Sequence, residues 1–553
     1  MVQVFCKNTG VAKSVPEGTA LVDILDEFDF EKPYPIVSAK VNNVSQGLKY
    51  RVYHSRDVEF LDVRETSGMR VYCRSLFFLL CKAAREALPG CRVYIEHPIS
   101  QGYYCNVKKV DKTALNPGDV ESIGRRMREL VNLDLAFHRH EVQTTEAIRI
   151  FNERGYEDKV RLLETIGEAY MDYYTLGDMA DHYYGRLVPS TGYLQVWALE
   201  SFHDGVLLRI PDRHNPDKLA HSEDQPKTFE ALSEAIRWNI RMGLNNVGDV
   251  NHACQNGQAS ELIQVAEALQ EKKVVQIAEE IERRYNGDNP IRVVLITGPS
   301  SSGKTTFCQR LSVQLKACGL RPVSFSTDDY FVDRVTTPLL PDGSYDFDNF
   351  ETVDHNLLEK DVQRLIAGEK VEVPEYNFVT GKREYNGRKL KLTRGSVLLI
   401  EGIHALNPNL IPSVNDSYKF RVFISTLTSS SLDNHNLIPT SDNRLIRRIM
   451  RDYYKGAFTA VETIRQWPKV CDAEEKWILP YQESADVMFN SAYLLEFAVL
   501  RTHAESILAT VPKNCPEYSE AHRLLTFIHY FTPVSAKEIP STSILKEFLS
   551  NNA

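Results

Sequence analysis

Residues 298–305 read GPSSSGKT: a glycine, four residues, then Gly303, Lys304 and Thr305. This is the spacing of a loop that wraps its backbone N–H groups around phosphate. Gly298 and Gly303 let the chain curl, so that the amides of Ser300, Ser301, Ser302 and the residues up to Thr306 can face one anion. Lys304 supplies a point charge for the outer phosphates, and the Thr305 hydroxyl a ligand for Mg²⁺. The flanks agree. RVVLIT before it reads as a buried strand, and KTTFCQRLSVQLKACG after it as an amphipathic helix ending at Gly319. The N-terminus of that helix adds its dipole to the anion site.

Three downstream features separate a kinase from a bare nucleotide binder. After the next strand, RPVSFST, comes Asp328, followed by Asp329. An acid at the carboxyl end of a neighbouring strand stands in the crevice where ligands of open sheets bind, and can take the proton of an acceptor hydroxyl. The apolar run SVLLIEGIHAL ends its strand on Glu401, where a carboxylate completes the Mg²⁺ shell through water. In SDNRLIRRIMRDYY, Arg444, Arg447, Arg448 and Arg451 fall at i, i+3, i+4 and i+7. That spacing sets four guanidinium groups on one helix face, read here as a mobile lid that neutralises a triphosphate. The expected reactants are therefore ATP with Mg²⁺ and a small hydroxyl acceptor.

The chain around these residues has 553 residues, enough for three or four domains. A net charge of -9 weighs against a general nucleic-acid or anionic-membrane binder. The ten cysteines are scattered without a CxxC pair, the usage of reduced thiols, and no apolar run approaches a membrane span. A cytoplasmic protein with no membrane partner is expected. Residues 1–63 read as a small α/β unit in which Pro16–Thr19 caps the helix LVDILDEF, and 64–225 as an α+β region. In the latter, TTEAIRIFNERG is a helix with a Thr cap that stops at Gly155. Residues 226–288 read as a helical connector with an apolar stripe Leu262, Val265, Ala266, Leu269, resuming at Val274. From 289 to about 510, strands and helices alternate, the signature of a parallel sheet with crossover helices, and 511–553 is a tail. The fold class is multidomain: α/β at the C-terminal end and α+β before it.

The run from 291 to about 500 resembles the uridine kinase and phosphoribulokinase family. The stretches that carry the resemblance are GPSSSGKTT, STDDYF, YDFDNFETVD, VPEYNFVTGKR, LLIEGIHAL, SDNRLIRRIMRD and LPYQESADVMFN. It implies that Asp328 is the catalytic base, assisted by Lys304 and Arg444. Asp348 would hold the ribose hydroxyls of a nucleoside, Tyr376 and Phe378 would flank its base, and Arg444 would contact the acceptor. Arg447 and Arg451 would belong to the lid over ATP. Two positions depart from the pattern: Gly381 stands where uridine kinases carry a pyrimidine-reading His, and Gly456-Ala457 where the lid has Gly-Arg. The alternatives are a kinase of this fold for a sugar phosphate, and a nucleotide-dependent RNA- or ribosome-associated regulator.

Residues 1–63 resemble a TGS domain, through VPEGTALVDIL, AKVN and VEFLD. The next block is similar to the editing region of threonyl-tRNA synthetase, through YCRSLFFLLCKAAREALPGCRVYIEHPISQGYYCNV and VPSTGYL. That resemblance implies a hydrolytic site of His-x-x-x-His, Cys and His, but the matching positions are Arg74, Phe78, Tyr183 and Leu187. None can move a proton or hold a metal as the replaced groups would. His138 and His140, at i and i+2, are read as surface residues off a common helix face. This half is expected to have no editing activity. RNA or small-ligand binding, self-association and regulation of the kinase stay open for it.

Overall fold

The computed structural model describes residues 1–549; the last residues of the expected tail, 550–553, lie outside them. The chain mixes α/β and α+β units. In the C-terminal part five parallel strands form one sheet in the order Arg321–Ser326, Ser396–Glu401, Val293–Thr297, Lys419–Ser425, Val487–Asn490. All five residues of Val293–Thr297 are buried, as a central strand covered on both faces requires. The register places Ile296 beside Glu401 and Glu401 beside Ser326. The carboxyl ends of three strands, bearing Gly298, Asp328 and Glu401, therefore share one edge.

The expected connector is one layer of this unit. Helices Pro226–Met242, Val247–Gln255 and Ala259–Tyr285 occupy it. Val274, Ile277, Ala278 and Ile281 of the last share a core with Val294, Ile296, Phe307 and Leu311 of the sheet and the phosphate-loop helix. Leu269, placed on the apolar stripe from sequence, is exposed, and the stripe instead runs through Ile263 and Gln270. The expected tail is also built in. Helix Tyr518–Ile528 buries Leu524 and Phe527 against the helix Glu496–Leu508, and Ile544–Leu549 returns to the phosphate loop.

The N-terminal unit is a five-stranded sheet in which Val2–Cys6 pairs in parallel with Arg56–Leu61. Next, the buried helix Thr66–Ala87 shares a core with the strands Arg92–Ile99 and Gly102–Lys108. Two helix starts differ from expectation. Thr19 donates its hydroxyl to Pro16 O (2.7 Å), closing the turn, so the helix Leu21–Asp26 starts from Ala20 without a side-chain cap. Thr144 lies inside its helix, its hydroxyl going to Glu168 O across the domain (2.5 Å).

The two halves interlock. A hairpin of the C-terminal unit, Ser431–Asp433 with Asn436–Leu437, pushes Leu437 into the core around Phe78 and Val93. Beside it Lys159 Nζ lies 2.8 Å from Asp181 and 2.9 Å from Asp433, all fully buried. His435 Nδ1 sits 2.7 Å from Asp181. Burial disfavours the Lys159 charge, but Asp181 and Asp433 outweigh it and keep the ammonium protonated. Two cations and two carboxylates thus neutralise one another at the junction. No helix among the described residues is long and apolar enough to cross a membrane.

Candidate active site

The phosphate loop leaves the central strand at Gly298 and enters the helix Lys304–Ala317 through Gly303, whose φ of +85° a side-chained residue rarely adopts. No side chain caps this helix, so its first amides stay available to an anion. Lys304 donates to Gly298 O (2.8 Å) and Pro299 O (3.1 Å), which holds the ammonium over the loop. Burial pulls its pKa down, and the charges of Glu401 and Asp328 oppose that pull. Glu401 is pushed up to about 7 by burial, against the attraction of Lys304. Asp328 is likewise raised by burial and held back by Lys304. These three groups face one space. The Thr305 hydroxyl donates to Glu401 (3.4 Å), so the two oxygens expected to hold Mg²⁺ are neighbours, and a buried carboxylate raised this far gains from a cation. The donor set fits Mg²⁺.

The arginine face departs from a solvated lid. Arg444 reaches Ser300 O (3.4 Å) but is paired to Glu474 at 2.6 and 2.7 Å, and Glu474 also accepts from the Ser300 amide (2.8 Å). Arg447 has no exposure. Its guanidinium pairs with Glu496, donates to Ser491, and lies over the Phe548 ring at 4.9 Å. It is a buried strut, because a carboxylate 49 residues on compensates it. Arg448 donates to Ser300 Oγ (3.0 Å) and offsets part of the burial that raises Asp348 to about 6. Arg451 carries its charge toward Lys304 and Asp328. Arg448 and Arg451 are thus the two arginines of the stripe turned to the loop and its carboxylates, and they share one partner, Asp452, at 3.3 and 3.5 Å.

Of the two aromatics expected to flank an acceptor, Tyr376 is buried in the core and Phe378 is 62% exposed; the rings lie 5.1 Å apart, with Phe331 against both. Tyr376 therefore backs the wall and Phe378 offers the open face. Gly381, with φ +68°, allows the turn, and Arg334 fills its place. A Cβ on Gly381 would meet Arg334 Nε at 2.9 Å, and that Nε has no hydrogen-bond partner. Sequence reading found an empty position here and missed the arginine, 47 residues earlier in the chain. His404, which follows Glu401 in GIHAL, was also passed over: it is buried beside Phe350, its pKa brought down to about 4 by burial.

Also unforeseen is the return of the C-terminal segment. Glu547 accepts from the Thr306 hydroxyl (2.9 Å), and Ile544 packs on Gly303. In the N-terminal half, Phe78, Tyr183 and Leu187 are buried, with Phe78 and Tyr183 in ring contact at 5.5 Å. Three of the four replaced positions have joined the core. His138 and His140 lie on the strand Phe137–Gln143, where i and i+2 share a face, unlike the helical spacing assumed from sequence. His140 stacks on Tyr173 and bonds Thr175.

The Phosphoribulokinase / Uridine kinase family model matches residues 293–494. These residues carry a P-loop kinase domain of that kind. The N-terminal half is similar to threonine–tRNA ligases. That of Marinobacter nauticus is 30% identical over 191 residues, 34% of this chain and 30% of that protein. That of Syntrophotalea carbinolica is 30% identical over 194 residues, 35% of this chain and 30% of that protein. The chain spans about three-tenths of the length of these relatives. Among solved structures, "a Possible Uridine Kinase from Bacillus stearothermophilus" aligns at 18% identity and TM-score 0.28, covering 40% of this chain and 98% of that one. A D-glycerate 3-kinase from Cryptococcus neoformans aligns at 14% identity and TM-score 0.26, covering 38% and 89%.

Proposed function

We propose that this protein is an ATP-dependent nucleoside kinase that transfers the γ-phosphoryl group to a ribose hydroxyl. The observation that carries the reading is the convergence of Lys304, Asp328 and Glu401 at the strand edge, next to a third carboxylate, Asp348, whose pKa burial also raises. A pure nucleotide sensor needs no base facing an acceptor. ATP would be held by the loop amides, Lys304 and Arg451, with Mg²⁺ on Thr305 and Glu401; the ion would neutralise charge developing on the phosphates. Asp328 takes the hydroxyl proton. Its burial raises its basicity, and the charge of Lys304 opposes that rise. Asp348 and Arg448 would hold a diol, and Phe378 would stack on a base. Arg444 supports the loop through Glu474 rather than reaching freely toward an acceptor.

One observation favours a second acceptor class. The Arg334 guanidinium at Gly381 suits an anionic substituent, as a sugar phosphate would bring. The protein would work in the cytoplasm, where both acceptor classes and ATP are found. ADP release measured over a panel of nucleosides and sugar phosphates decides. Turnover with nucleosides alone supports the first reading and turnover with phosphorylated sugars alone the second. No turnover with any hydroxyl acceptor would sink both.

A further inference from the structure

Between the helix Thr66–Ala87 and the helix Tyr518–Ile528 lies a cavity of about 480 Å³, partly open to solvent. Arg74 and Tyr183, two of the four positions at which the resemblance to the editing region implies His or Cys, line it. Five arginines line it, and four have carboxylate partners. Arg70 pairs with Glu520 (2.8 Å), Arg523 with Asp442 (2.6 Å), and Arg139 and Arg186 with Asp172 (2.7 and 3.2 Å). Arg74 is the fifth. Among the described residues no carboxylate pairs with it; its Nε donates to Arg186 O (3.2 Å), and its terminal nitrogens have no acceptor.

The seat of Arg74 is built. Its guanidinium lies flat on Gly185, where a Cβ would fall 2.5 Å from Cζ, and 5.7 Å from the centre of the Tyr184 ring. Burial and the nearby charges of Arg70 and Arg523 both work against its own charge, so an oxyanion held beside the guanidinium would relieve both. Glu168, the one lining acid without a guanidinium partner, is exposed at the rim. Tyr184, Tyr530 and the buried His182 supply walls that hydrogen-bond or stack. A planar fork with free donors, fixed from behind and facing a polar cavity, is the arrangement that binds a carboxylate or phosphate in bidentate fashion.

We propose that this cavity is a binding site for a small oxyanion-bearing ligand, a phosphate monoester or a carboxylate, gripped by Arg74. The site is separate from the phosphate loop and does not depend on the kinase reading. It replaces hydrolysis with recognition: where catalysis would need imidazole and thiol, the cavity keeps one guanidinium without a carboxylate partner.

The test uses the full chain carrying Lys304→Ala, which takes the loop lysine out of competition. Inorganic phosphate and succinate are the two probes, titrated at constant ionic strength by calorimetry and by thermal melting. Saturable binding of at least one is expected, and which one separates the phosphate from the carboxylate source. Adding Arg74→Met should weaken that binding by tenfold or more, and Arg74→Lys by less, since the charge stays and the fork is lost. Gly185→Ala should also weaken it, because it pushes the guanidinium off its seat without changing charge; this variant decides the matter if Arg74→Met fails to fold. No saturable binding of either probe, or equal binding in the Arg74→Met and Gly185→Ala proteins, overturns the proposal.

Discussion

The Glu547 carboxylate accepts a 2.9 Å hydrogen bond from the hydroxyl of Thr306, the residue after Thr305. Negative charge from the end of the chain thus stands at the helix N-terminus that would receive phosphate, and its field reaches both Lys304 and Glu401. Nucleotide binding has to displace or tolerate it. Glu547→Gln keeps the hydrogen bond and removes the charge, so ATP affinity should rise by roughly tenfold, about 1.4 kcal/mol. Calorimetric titration with ATP checks this, and an unchanged Kd would mean that the carboxylate and the phosphates never share the space.

Asp328→Asn preserves shape and cannot accept a proton. The expected result is a fall in kcat of roughly 10²-fold or more with ATP binding retained. Steady-state kinetics with titrated ATP separate the two quantities. If kcat were unchanged, the base would lie elsewhere, with the adjacent Asp329 next to examine.

Glu401 ties metal binding to pH. Its folded pKa, about 7, is raised above that of an unfolded glutamate. Without a cation its contribution to stability is therefore present at low pH and lost as pH rises toward about 7. Mg²⁺ needs the ionised form, so its stabilising effect should grow from about pH 6 to about pH 8. Melting with and without Mg²⁺ across that range reads this directly. Glu401→Gln should flatten the dependence; a slope untouched by the substitution would assign the metal site to other groups.

Arg334 tests the acceptor class. For a sugar phosphate, Arg334→Met should raise KM by about tenfold or more, the scale of a lost charge-assisted contact. For a neutral nucleoside the change should stay within about threefold. Comparing kcat/KM for both classes in the variant shows which applies, and no effect on either would place Arg334 outside the acceptor pocket.

Arg447 predicts a stability loss, not a lid defect. Arg447→Met strands Glu496 in the core, at an expected cost of about 3 to 5 kcal/mol, and Glu496→Leu in the same chain should recover much of it. Chemical denaturation of the single and double variants is the measurement. A loss below about 0.5 kcal/mol, typical of an exposed arginine, would contradict the burial seen here.

Which parts of this were legible in the sequence follows from the range of the forces involved. The phosphate loop is local: Gly298, Gly303, Lys304 and Thr305 lie within eight residues, and the flanking apolar strand and amphipathic helix dictate its setting. The positions of Asp328 and Glu401 were legible because one follows a strand and the other ends an apolar one, and strands of a parallel sheet present their carboxyl ends on one side. That Arg74, Phe78, Tyr183 and Leu187 carry neither imidazole nor thiol was likewise a matter of residue type. The tertiary structure alone decided what these residues meet. Spacing placed Arg447 on a charged face, yet Glu496 makes it a core residue. Gly381 looked vacant until Arg334 was folded against it. Glu547 reaches Thr306 across 241 positions, and Leu437 crosses into the core of the other half. Burial and charge compensation depend on partners far along the chain, and no window of sequence contains both members of such a pair.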